Sequence, residues 1–599
     1  MLLKHLTPVA LAVSVLCLTV AAQAAPNQVY PETVAAHNAS MTVDVIVKDG
    51  RIQNILVDDR ESPGAGKRAI AMLKKQILDH QTVNVDAVTG ASITSSLFVT
   101  AVKEDMKRAG LDLSKFQKPI PHKVLNDSYE TQVVIVGGGG AGLAAAAAAV
   151  EAGGKVIIVE KLGFLGGSTA ISGGGYNAVD PERQNRQGIE DSIDRHFNDT
   201  MAGGHQKNNP ELARYLVEKA PEVMHWLEVK GVHFRPPVHT IVGGLYPRGH
   251  SAAGGGFAYT DWLETFIRAY PGQVQVFTDT IAKKLLKDAN GRVVGVEAEH
   301  YGKKVTFKAS KGVIVTTGGC AANVKLRQEV NTGPWNDMVL DASIGSTNSL
   351  HASQGDGLKL AKDVGAELID LDYIQLHPGG TPGTGIMSSW PSGRNRLFVN
   401  VEGERFVNED APRDELCKAI FAEPESKYWV IMNKLRIPNE DVRIGILPIK
   451  EQLALGKAVK GETLEDLAKA TGMDVAKLKT SIAGYNDVVT GKVKEDKFGF
   501  KKSMAVDAPF VEGPYYATPL VPAVHHTMGG IKIDSKTQVY DQKGNVIPGL
   551  FAAGEVTGGV HGGNRLGGNA QADIVGFGRI AGQQAYIFAQ QAKAADAKK

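Results

Sequence analysis

Two β-patterned runs, Met41 to Val47 and Arg51 to Val57, meet at Asp49-Gly50, and this dipeptide between apolar runs predicts a tight hairpin. The period then changes. Ile70, Leu73 and Ile77 recur at helical spacing within Lys67 to His80, which predicts a helix packed on the hairpin. After Val83-Asn84-Val85 a second helix is expected over Ser92 to Arg108, with Gly110 just past its end, completing a small α+β domain over 27–110. Residues 111–130, with Pro119, Pro121 and little periodicity, read as a linker. The strongest pattern follows: the apolar run Val133 to Val136 stops at a glycine cluster, an alanine-rich helical segment comes next, and Val156 to Val159 resumes the apolar run. That is strand, turn, helix and strand. From Val274 to Val315, β-patterned runs with turns at Asn290-Gly291 and Tyr301-Gly302 predict a small antiparallel layer ending in an apolar strand, and Gln354-Gly355-Asp356-Gly357 opens a further helix.

The glycines give this pattern its chemistry. Gly137, Gly139 and Gly142 fit G-x-G-x-x-G, which combines a tight turn, close backbone approach to a pyrophosphate at a helix N-terminus, and close helix-to-strand packing. Glu160 stands at the tip of the second strand, where a carboxylate accepts hydrogen bonds from an adenosine ribose. Two more glycine-dense loops, Gly163 to Thr169 and Ser172 to Gly175, imply bare backbone against a flat cofactor, because side chains would hold it away. Cofactor contacts are therefore expected at Gly137, Gly139, Ala141, Gly142, Glu160, Gly167, Ser168, Thr169 and Gly174.

Composition narrows the partners. Over 599 residues, 66 Lys and Arg balance 64 Asp and Glu, so net charge suggests neither nucleic acid nor an anionic membrane. Residues 1–24 read as a secretory signal peptide: Lys4 and His5, an apolar run from Val9 to Val20 too short for a comfortable bilayer span, then Ala22-Gln23-Ala24. Export to the periplasm is expected. Cleavage removes Cys17, so Cys320 and Cys417 remain, which excludes a disulfide framework and leaves one bridge open. No C-x-x-C-H occurs, so no c-type haem is attached, and His205, His233 and His250 lack metal-ligand spacing, so no metal is expected.

Asp86-Ala87-Val88-Thr89-Gly90-Ala91-Ser92 is a polar, glycine-containing loop opening a helix, which suits either a phosphate or an ordinary helix cap. It resembles the D-x-x-[ST]-G-A-[ST] motif of FMN-binding domains, and the resemblance implies FMN joined by a phosphoester to Ser92, where threonine is commoner, through a flavin transferase. Gly312 to Gly319, with Gly318 in the second dinucleotide-contacting motif, Asp356 at a helix start, and Gly549 to Glu555 resemble the FAD-binding fold of the fumarate reductase and succinate dehydrogenase flavoprotein family over residues 131–590. Glu555 matches the family acid at the FAD ribityl region. The implied architecture is α/β: a Rossmann-like, glutathione-reductase-like FAD domain at 131–371 and 527–599, an inserted α+β capping domain at 372–526, and the small α+β FMN-binding domain ahead of them. The layout is similar to the periplasmic soluble fumarate reductase and urocanate reductase branch.

That branch reduces a carbon-carbon double bond conjugated to a carboxylate, which needs cations on the carboxylate, a hydride donor and a proton donor. By resemblance, His377 in Gln375-Leu376-His377-Pro378 contacts the distal group, Arg413 in the segment Asn408 to Asp414 is the acid, and His525 and Arg565 bind the reacting carboxylate. Ser389 falls where the fumarate branch has a threonine; one residue later a relay glutamate is replaced by Trp390, so either proton delivery is rerouted, with Arg394 and Arg396 as candidates, or the pocket is reshaped for a larger or less charged acceptor. Taken singly, each residue has a bland reading as an interior histidine, a surface arginine or a clamp on local carbonyls. The expected activity is reduction of fumarate, or else of urocanate, acrylate, methacrylate or cinnamate-type acids, in anaerobic respiration, with an external quinol-oxidising membrane cytochrome as donor. A ketosteroid-type dehydrogenase and a pure flavin electron carrier are the rival classes; neither needs Arg413, His525 and Arg565 together.

Overall fold

The computed structural model describes residues 32–35, 40–348, 352–387, 391–392, 394–445, 447–501 and 508–596. The segment 1–24 expected to be a signal peptide, Ser389 and Trp390 lie outside the described residues.

The N-terminal unit is a three-stranded antiparallel sheet of β1 (Glu32–Ala35), β2 (Ser40–Lys48) and β3 (Arg51–Asp58), covered by α1 (Gly66–His80) and α2 (Ser92–Arg108). Asp49 and Gly50 both take left-handed backbone, the turn that matches strand twist in a two-residue hairpin. Ile70, Leu73 and Ile77 all reach the core, as their spacing requires. The expected linker is only partly one. Phe116, on a short 3-10 turn at Leu113–Phe116, packs into the core of this unit, and the next strand already starts at Ser128.

β4 (Ser128–Val136), α3 (Gly140–Glu151) and β5 (Val156–Val159) form the predicted β-α-β unit. β4 lies between β5 and Lys303–Val315 in a sheet whose parallel strands also include Val274–Phe277 and Val546–Ala552. β5 and the second half of β4 are buried throughout, the continuous apolar pattern of a sheet covered on both faces. Of the run Val274 to Val315 expected as an antiparallel layer, Thr280–Lys287, Val293–His300 and Lys303–Val315 form one, the last strand continuing into the parallel sheet, whereas Val274–Phe277 pairs parallel to β5. The helix Asn569–Asp596 packs along α3.

Above this sheet, Ile374–Gly380, Tyr515–Thr527, Tyr428–Asn433 and Leu397–Asn400 form an antiparallel sheet with the helix Arg413–Ala422 against it. Ile374–Gly380 runs beside Tyr515–Thr527 with Gln375 opposite His526, so residues 151 apart in sequence share one floor. Cys320 and Cys417 are both buried and both free. Among the described residues no helix is long and apolar enough to cross a membrane.

Candidate active site

The glycine turn between β4 and α3 opens a cavity of about 150 Å³ lined by Gly137, Gly139, Ala141, Glu160, Gly167, Ser168, Thr169, Gly318, Asp356 and Glu555. Gly142 lies behind this wall. A Cβ there would stand 1.9 Å from the Gly137 carbonyl oxygen, so the third glycine lets helix and turn touch. A Cβ on Gly139 would meet nothing within 4 Å; its open side faces the cavity. The buried Glu160 carboxylate is braced by the backbone N–H groups of Gly138 (2.6 Å) and Leu162 (2.7 Å), and burial pushes its pKa up. Asp356 is paired with Lys161 at 2.5 Å. A glycine turn at a helix N-terminus, a braced acid at the second strand tip and bare backbone along one wall fit FAD.

A second cavity, about 320 Å³, starts at Ser92 on the first residue of α2 and passes Gly174 to reach His377, Arg413, His525 and Arg565. The two cavities share Gly167, Ser168, His525 and Arg565. The N-terminal unit is docked at this boundary. Gly163 N–H donates to Thr89 O (3.1 Å), Thr89 Oγ1 donates to Asp279 (3.0 Å), Arg68 pairs with Glu264 (2.6 Å), and Phe164 enters the core of the small unit. A phosphate ester on Ser92 would stand at the mouth of the passage leading to the first cavity, so the loop fits FMN.

The far end of the passage gathers the predicted chemistry. Arg413, 4% exposed, begins the helix Arg413–Ala422 and donates from Nε to Val242 O (3.0 Å) and from Nη1 to Gln375 Oε1 (3.0 Å). Arg565 donates from Nη1 to Leu566 O (3.0 Å) and from Nη2 to the same Gln375 oxygen (3.1 Å). One amide oxygen thus holds two guanidinium groups. Burial, then the charge of Arg565, drives the Arg413 pKa well below the usual arginine range; burial brings Arg565 down to about 10. His377 and His525 face each other with ring centres 4.8 Å apart. Burial foremost, with the positive arginines adding to it, depresses both and keeps them neutral. Gly379 N–H donates to His377 Nδ1 (2.9 Å), leaving the proton on Nε2, and His525 Nδ1 lies 2.6 Å from the Thr347 hydroxyl.

Sequence reasoning assigned no role to several residues that build this site. Gln375 stood in the quoted motif, yet only its histidine was given a task. Its amide Nε2 donates to Asn564 and to Arg565 O (2.6 Å), and Asn564 in turn donates to Asp414 (2.7 Å), whose other oxygen meets His205 at 2.8 Å. His205, its side chain 47% exposed, is the solvent end of this chain of contacts. Arg394 and Arg396 both turn to Asp410, at 3.2 and 3.0 Å, and so brace the loop three residues before Arg413. His250 is buried against Ala178 O.

Residues 132–570 match the model of an FAD binding domain, and residues 37–107 match that of an FMN-binding domain. The chain is 34% identical to a urocanate reductase of Eggerthella lenta over 94% of its own length and 93% of that protein. It is 33% identical to an NADH:acrylate oxidoreductase of Vibrio harveyi over 92% of its own length, and spans 60% of that longer protein. Its fold matches the open conformation of a flavocytochrome c3 fumarate reductase with a TM-score of 0.60 and 35% identity, covering 77% of this chain and 78% of that one. The chain therefore belongs to the fumarate reductase and urocanate reductase family of flavoproteins, with an FMN-binding domain ahead of its FAD-binding domain.

Proposed function

We propose that this protein reduces the carbon-carbon double bond of an α,β-unsaturated carboxylate. The observation that carries this reading is the pair of buried arginines on Gln375 Oε1, facing two neutral histidines at the end of a passage that opens onto the FAD cradle. The glycine turn at 137–142 with Glu160 and Glu555 would hold FAD non-covalently and Ser92 would carry FMN, and when bound these flavins would supply electron transfer and hydride to the double bond.

The chain's own residues do the rest. Arg565 and the His525 ring bind the reacting carboxylate and draw charge toward it, which makes the β-carbon electrophilic. His377, with its proton on Nε2, donates to the distal group. Arg413 protonates the α-carbon as negative charge builds there; a guanidinium stripped of water beside a second cation holds its proton less tightly than one in solvent. The buried walls exclude water that would otherwise stabilise the cations and quench the developing charge.

Fumarate is the first substrate because His377 and the Ser389 hydroxyl are retained; urocanate, acrylate, methacrylate and cinnamate-type acids follow. The protein works outside the cytoplasmic membrane after export, takes FMN from a flavin transferase, and receives electrons from a quinol-oxidising membrane cytochrome. The test is anaerobic oxidation of reduced viologen by the flavinylated protein against a panel of 2-enoates. Turnover with at least one, with the saturated acid as product, is expected; inertness toward all of them refutes the reading.

A further inference from the structure

Beneath the FAD cradle lies a cluster of ionisable groups that the reaction above does not use. Glu555 lines the cradle, with Oε1 accepting from Thr527 N (3.1 Å) and Oε2 lying 3.5 Å from His526 Nδ1. The His526 ring meets His561 edge to face at 5.4 Å, and His561 Nε2 lies 3.1 Å from Asp573 Oδ2. His526, His561 and Asp573 are buried and the Glu555 side chain is 9% exposed; His526 Nε2, His561 Nδ1 and Asp573 Oδ1 have no hydrogen-bond partner among the described residues. Each of these three polar atoms, left unpaired, would cost about 1–3 kcal/mol.

The groups facing Glu555 are His526 and Thr527 on the strand Tyr515–Thr527, Cys320 beyond Lys303–Val315, Arg565 on the loop before the last helix, and Asp573 on that helix. Arg565 is the one cation among them, and its Nη1 and Nη2 are turned to Leu566 and Gln375.

We propose that Glu555 is a redox-linked proton site: it takes up one proton from solvent when two electrons reach the neighbouring FAD and returns it to solvent when they leave as hydride. The electrons come from a one-electron reductant such as reduced viologen. Of the two protons consumed per electron pair, one becomes part of the transferred hydride and the other settles on Glu555, cancelling the negative charge that a dry site tolerates poorly. Burial first, opposed by the Thr527 N–H and Arg565, already brings this carboxyl up to about 7, so a new negative charge beside it tips it to the neutral form at neutral and mildly alkaline pH.

The inference rests on FAD occupying the cradle and not on the substrate assigned, so it is tested without substrate. Reduced-minus-oxidised infrared difference spectra of the holoprotein at pH 8 should show a protonated carboxyl appearing on reduction, and Glu555→Gln should remove it. Spectroelectrochemical titration of the FAD between pH 7.5 and 9 should give two protons per two electrons in the wild type and one in Glu555→Gln. Asp573→Asn, which removes a charge that favours the neutral acid, should move the onset of the two-proton region to lower pH while FAD content stays at the wild-type level; this variant serves if Glu555→Gln loses FAD. A wild-type slope of one proton per electron pair, a carboxyl band unchanged by Glu555→Gln, or an onset unmoved by Asp573→Asn would each overturn it.

Discussion

Replacing Gln375 by methionine keeps side-chain length and apolar packing but removes the one oxygen on which two guanidinium groups meet, at 3.0 Å from Arg413 and 3.1 Å from Arg565. Hydrogen bonds to charged groups contribute about 1.5–3 kcal/mol each, so the two acceptor bonds together stabilise the folded protein by roughly 3–6 kcal/mol. The amide's donor bonds to Asn564 and to Arg565 O go as well, at about 1 kcal/mol each. Some of this returns as the arginines find other carbonyls. With Nη1 released, Arg413 keeps, among the described residues, only its Val242 tether at 3.0 Å, and its tip is free to swing. A displacement of about 1 Å in a proton donor costs on the order of 100-fold in turnover. Gln375→Met should therefore lower kcat about 100-fold in the viologen assay, lower resistance to denaturant, and gain more stability than the wild type from a saturating carboxylate, which replaces the lost acceptor. A variant with wild-type kcat and a raised KM alone would refute the claim that Gln375 positions Arg413.

Other outcomes are equally open to measurement. Ser92→Ala should abolish the FMN adduct on the peptide carrying that residue, read by mass spectrometry, while FAD content is unchanged, and Ser92→Thr should restore it. Gly142→Ala forces a Cβ to within 1.9 Å of the Gly137 oxygen and should disrupt the turn itself, whereas Gly139→Ala points a methyl into the cavity and should leave a folded protein with weakened FAD binding, separated by circular dichroism and flavin content. His377, His525 and His526 are all depressed by burial, so the unfolded chain binds more protons than the folded one once the pH drops below the ordinary histidine value of about 6.5. Their contribution is fully present above that pH and is lost as pH falls, at up to about 1.4 kcal/mol per pH unit for each ring, so denaturant midpoints should fall between pH 7 and 5; a flat profile contradicts neutral rings.

Much of this was legible because single residues carried it. Asp49-Gly50 marked a turn whose two left-handed residues the structure shows, the periodicity of Ile70, Leu73 and Ile77 marked the core face of α1, and the glycines of 137–142 marked the turn of the β-α-β unit. The strand Glu32–Ala35 was not legible, since four residues are too few for a period to show. The expected linker hid Phe116 and the start of β4 because an isolated aromatic in a proline-bearing stretch has no partner in sequence; it finds one only in space. The same limit hid the floor of the site. Gln375, Asn564, Asp414 and His205 are ordinary polar residues whose meaning lies in contacts across 38 to 209 positions, some of which antiparallel pairing of Ile374–Gly380 with Tyr515–Thr527 helps to bring about. The rerouting expected from Trp390 falls outside the described residues, and Arg394 and Arg396 are committed to Asp410.

The central claim is that Arg413 protonates the carbon beside a bound carboxylate while hydride arrives from the flavin. Its most direct measurement is anaerobic turnover of the best 2-enoate in deuterium oxide with reduced viologen, for the wild type and for Arg413→Ala loaded with both flavins. The account predicts from the wild type a saturated acid with one solvent deuterium on the α-carbon, from Arg413, and one on the β-carbon, because the hydride's hydrogen is itself taken from solvent, and loss of turnover of at least about 100-fold in the variant although viologen still reduces its flavins. Wild-type turnover by Arg413→Ala would contradict it.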